Sequence, residues 1–82
     1  MLSDKDLERL VPHLKQYLPK NQYHKIGELV EKVYLYDYNG ELKTYAMGFS
    51  SEESPFLCFD IRTYSFVGVA SPDHVKKHGE LI

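Results

Sequence analysis

Two of the four histidines, His74 and His78, stand four residues apart, a spacing that on a helix points both imidazoles from one face, as in helical metal sites. A structural zinc wants four ligands and a catalytic one three. Neither the single Cys58 nor His13 and His24 in the amino-terminal half is placed beside the pair by sequence. The residue after His74 is Val75, not the glutamate of the metalloprotease pattern. The pair reads as cationic character at a helix carboxyl end, beside Lys76 and Lys77, and no metal or cofactor is expected.

Nucleophilic and acid-base chemistry find no better footing. Cys58 lies between Leu57 and Phe59, where burial raises a thiol pKa and leaves it unreactive. No serine sits in a Gly-x-Ser-x-Gly elbow, and the glycines at 27, 40, 48, 68 and 79 are too dispersed for a phosphate loop. Glu52, Glu53 and Asp60 would supply paired carboxylates, but they read as loop and turn residues, Asp60 opening a turn through its side chain. The chain is not expected to be an enzyme.

The unusual chemical choice is aromatic: seven tyrosines and no tryptophan in 82 residues. Tyrosine offers a large contact area at low rotamer entropy and ends in a hydrogen-bonding hydroxyl, which suits a protein interface and equally a small core. The run VYLYDYNGELKTYAMGF has two β-prone arms joined by Asn39-Gly40, the dipeptide best suited to the positive φ angles of a type I′ turn. With a two-residue loop, Tyr36 faces Lys43 and Tyr34 faces Tyr45. Alternation then puts Val33, Leu35, Leu42, Thr44 and Ala46 on one face and Tyr34, Tyr36, Tyr38, Lys43, Tyr45 and Met47 on the other.

The elements around the hairpin follow from their punctuation. Ser3 caps a helix whose Leu7, Leu10, Val11, Leu14 and Leu18 form one apolar stripe, and Pro12 inside it predicts a kink or a restart. Residues 21–32 fit a helix or the start of a long strand, with Gly27 favouring a turn. Phe56–Phe59 reads as a third strand, Asp60–Thr63 as a turn and Tyr64–Ala70 as a fourth strand. Gly68 in that strand marks a bulge or a close approach to the backbone. Ser71-Pro72-Asp73 opens a short helix that Gly79 stops, and the tail folds back to bury Leu81 and Ile82. The expected fold is α+β in a single domain over residues 1–82. It has an amino-terminal kinked helix, a four-stranded antiparallel sheet (the hairpin at Asn39-Gly40, then a second strand pair) and a short carboxyl-terminal helix.

A net charge of −2 supplies no general attraction to phosphate or anionic lipid, no apolar run approaches about 20 residues, and one cysteine cannot form an internal disulfide. A cytoplasmic protein that binds another protein, rather than nucleic acid or membrane, is the expectation. An inhibitor or immunity-type role against a toxin or enzyme is one form of it. The binding residues would be Tyr34, Tyr36, Tyr38, Lys43 and Tyr45, with Glu52 and Glu53 beside them as an acidic loop for a basic partner. The alternatives are base stacking on the tyrosines with Lys32, Lys43 and Arg62 on phosphate, or an enzyme or metal and ligand site using His74, His78 or Asp60. Edge strands leave a homodimer by sheet extension open.

Overall fold

The computed structural model describes residues 2–49 and 54–82. Helix α1 runs Asp4–Tyr17, and its start is fixed by Ser3, whose hydroxyl oxygen accepts from the Asp6 amide at 3.1 Å and donates to the Asp6 carboxylate at 2.9 Å. Pro12 does not split it. Pro12 and Glu8 both lie on the exposed side, so the Glu8 carbonyl that loses its amide partner faces water, and of the two expected outcomes the single piece is the one formed. A 3₁₀ helix, Lys20–Lys25, leads into α2, Ile26–Glu31. The turn expected near Gly27 is therefore a correction: Gly27 is exposed inside α2, and the burial of Ile26 and Leu29 outweighs its poor helix propensity.

Strands β1 (Val33–Tyr38), β2 (Leu42–Met47), β3 (Phe56–Asp60) and β4 (Phe66–Ala70) form an antiparallel sheet. Helix α3 (Pro72–His78) follows, then a two-residue strand β5 (Glu80–Leu81) that pairs antiparallel with β1, so the order is β4-β3-β2-β1-β5. The α+β fold is as expected, with a fifth short strand added to the four. Ile82 donates to the Val33 carbonyl at 2.9 Å and packs against the core, whereas Leu81 stays 56% exposed.

The hairpin turns where expected but in a different register. Asn39 (φ 54°) and Gly40 (φ 73°) both take positive angles, yet Tyr38 pairs with Leu42, Tyr36 with Thr44 and Tyr34 with Ala46, leaving Glu41 in the loop. Two overlapping turns close it, Gly40 donating to the Asp37 carbonyl and Glu41 to the Tyr38 carbonyl, each at 3.1 Å. A slip of one residue reverses every side chain of β2, so Tyr45, Met47 and Lys43 lie on the face of Val33 and Leu35, while Thr44 and Ala46 join Tyr34 and Tyr36. The expected register would crowd Tyr34, Tyr36, Tyr45 and Met47 onto one face. The observed one sets a tyrosine opposite a small residue and shares the bulk between two cores.

The sheet is covered on both sides. Val33, Tyr45, Met47, Leu57 and Phe59 pack under Leu10, Leu14 and Leu18 of the α1 segment and Ile26 and Leu29 of α2. On the other face Tyr36, Ala46, Phe56 and Cys58 pack under Val75 of α3. Full burial of a residue such as Phe59 or Leu14 is worth about 1.5–3 kcal/mol, and all five residues of β3 are buried because each face of that strand meets a core.

Candidate functional site

Helix α3 builds the first candidate site. Pro72 occupies the first turn, where a missing N–H costs nothing, Asp73 lies near the positive end of the dipole, and Val75 donates to the Ser71 carbonyl at 3.0 Å. At the other end a Cβ on Gly79 would stand 2.6 Å from the Val75 carbonyl oxygen and 3.2 Å from that of Leu35, so only glycine lets the chain pass into β5. Because α3 joins β4 at one edge of the sheet to β5 at the other, it has to cross the face that carries Tyr36. Val75 is fully buried there, and the preceding residue, His74, meets the tyrosine.

The Tyr36 hydroxyl and His74 Nδ1 are 2.6 Å apart, with the rings edge to face at 5.6 Å. The rings of His74 and His78 are 4.5 Å apart at 44°. Tyr36 and His74 line an open cleft of about 570 Å³ with Tyr38, Asn39, Gly40 and the segment Val69, Ala70 and Ser71. Tyr38 closes one wall by lying over Gly68: a Cβ there would collide with its hydroxyl and come within 2.7 Å of Cζ. That is the close approach expected at Gly68, and the expected bulge is present too, Val67 being the extra residue between the pairs Cys58–Gly68 and Phe59–Phe66.

The electrostatics of this face favour neutral groups. Burial pushes the Tyr36 phenol up, with the Cys58 thiol adding to the effect, and burial also pushes Cys58 up against an opposing hydrogen bond from Thr44. A phenol and a thiol that hold their protons are a poor base and a poor nucleophile.

Compared with protein-family models, curated proteins and solved structures, the chain finds no match.

The residues that the sequence nominates for partner binding do not form one surface. Tyr36 and Tyr45 are 6% and 9% exposed and belong to cores on opposite faces. Tyr34 is half-buried against Phe56, ring centroids 5.8 Å apart, and Tyr38 is half-buried in the cleft wall. Lys43 is exposed and 3.7 Å from Asp37, a surface pair of little energetic consequence. Glu52 and Glu53 lie outside the described residues. Burial leaves Tyr36 and Tyr45 no free ring face for a stacked base. Asp60 opens its turn as expected: its carboxylate accepts the Arg62 amide at 2.7 Å.

A second surface carries residues that the sequence reading passed over. Tyr17, Phe66 and Val69 are 42%, 38% and 47% exposed, large apolar side chains left outside the core. The Tyr17 and Phe66 rings lie 4.2 Å apart, and both contact Phe59 edge-on. Val69 pairs with Leu57 and Phe66 with Phe59, which sets both on the α1 side of edge strand β4. One signal was available: Tyr17, three residues past Leu14, sits at the border of the α1 apolar stripe. That β4 is an edge depends on strand order, which periodicity does not encode.

Proposed function

We propose that this chain is a protein-binding module that meets its partner with the apolar patch Tyr17, Phe66 and Val69 beside strand β4. The observation that carries the reading is their exposure on an edge strand whose five residues include no charge. Natural edge strands are usually protected by charge, proline or cover, and exposed aromatic residues next to a rigid core are the typical anchors of an interface. The bulge at Val67, in the pairing of β4 with β3, breaks the regular backbone spacing of that edge strand, and β5 at the opposite edge has only two residues, so the partner is met through side chains rather than by extending the sheet. Inhibition, or an immunity-type role, follows where the partner is an enzyme or toxin whose working face is the one covered.

Among the described residues no helix is long and apolar enough to cross a membrane, so the patch is not part of a helical span. The test is a photo-crosslinker placed at Val69 in living cells, with a second at Glu31 as control. The reading expects one stoichiometric adduct from position 69, none from position 31, and its loss in Phe66→Lys. An adduct that persists in Phe66→Lys, or none at all, overturns it.

A second reading, a small ligand in the α3 cleft, rests on the 2.6 Å contact of Tyr36 with His74. Incubation with a metabolite panel and thermal-shift readout tests it, and a flat response in the whole panel retires it.

A further inference from the structure

We propose that His74 and His78 form a two-imidazole site for a borderline divalent cation of the zinc, nickel or copper class, on the sheet face opposite the apolar patch. The pair stands one helical turn apart on α3, and the two exposed rings approach to 4.5 Å between centroids. What separates this pair from two chance surface histidines is the contact beneath it. The buried Tyr36 hydroxyl lies 2.6 Å from His74 Nδ1, and in the tautomer where Nδ1–H donates to the phenol oxygen, Nε2 is the nitrogen left for a cation. A metal-bound imidazole typically gives its other N–H to a fixed acceptor that sets its tautomer and orientation, and the phenol oxygen of Tyr36, held in the core with Ala46, Cys58 and Val75, stands where cation binding at Nε2 would need that acceptor.

No third histidine, cysteine, aspartate or glutamate joins the pair among the described residues, so water fills the remaining positions and the site stays open to a further ligand from the cleft. Lys76 and Lys77 on the same helix oppose a cation and keep the affinity modest. Imidazole donors favour copper over nickel and zinc, and they exclude magnesium and calcium.

The experiment is calorimetric titration of the untagged chain at neutral pH with zinc, nickel, copper and magnesium salts in turn. One cation per chain is expected, copper tightest and magnesium without heat. His74→Ala and His78→Ala should each weaken zinc binding at least about tenfold, and Tyr36→Phe should weaken it by a smaller factor by freeing the His74 ring. Both histidines are exposed, so circular dichroism of the two alanine variants should match the parent. Zinc binding unchanged in His78→Ala would show that the two rings do not share the cation and overturn the proposal. So would the absence of heat at millimolar zinc.

Discussion

The hydroxyl end of Tyr38 takes the space that a side chain at position 68 would need, with Cζ 2.7 Å from the site of an added Cβ. Gly68→Ala forces the ring out of the cleft wall, and we expect it to cost about 1–2 kcal/mol in a denaturant titration. The part of the loss that comes from the Tyr38 side chain should shrink in a Tyr38→Ala background, while the φ of 158° at position 68, one that a residue with a Cβ rarely adopts, keeps the rest. A double-mutant cycle that shows the two changes to be additive would mean that they do not meet. At this scale the sequence marked Gly68 as a place of close approach, and it could not say which group approaches. Tyr38 lies thirty residues away on a strand that is not a neighbour of β4.

Helix α2 shows how tertiary burial decides between local alternatives. Residues 26–31 have both helix and strand character, and the helix forms because Ile26 and Leu29 then reach the core on one side of the sheet. Gly27 contributes nothing to that packing: it is exposed, and an added Cβ would have no atom within 4 Å. Gly27→Ala should therefore stabilise the protein by about 0.5–1 kcal/mol, read as a raised midpoint of thermal unfolding. A fall in the midpoint would favour the turn that the glycine suggests in isolation. Gly40 is the contrast, since its φ of 73° is one that a residue with a Cβ adopts at a cost.

Across the whole molecule, stability should depend on pH through four groups. Tyr36 and Tyr45 are raised from 10.0, each by burial first, with Cys58 acting further on Tyr36 and Asp6 on Tyr45; burial raises Cys58 from 9.0. Above about pH 9 the unfolded chain sheds protons that the folded one keeps, so their contribution is complete at neutral pH and declines as the solution becomes alkaline. Asp60 is lowered from 3.8, chiefly by the Arg62 amide and then by the rest of Arg62, so its contribution is complete above that value and is lost as pH falls through the folded value. Urea midpoints should thus be level from about pH 5 to pH 8 and drop on both sides. A midpoint that holds steady to about pH 11 would show that the phenols and the thiol meet water in the folded state.

The sequence by itself determined the elements whose signals are local: the capped α1, the Asn39-Gly40 turn, the Asp60 turn, the bulge near Gly68 and the limits of α3, each set by a few adjacent residues. It also determined the α+β class, because period-2 and helical apolar patterns alternate along a chain of 82 residues. Only the tertiary structure decided which way the tyrosines face. A third residue in the hairpin loop reverses all of β2, and that choice depends on sharing bulk between two cores that residues far apart in the chain complete. The edge position of β4 and the crossing of α3 over Tyr36 are likewise consequences of strand order, so the Tyr17 and Phe66 patch and the Tyr36–His74 contact join residues 49 and 38 positions apart. No spacing rule reaches across that distance, because side chains so separated meet only after the sheet has closed.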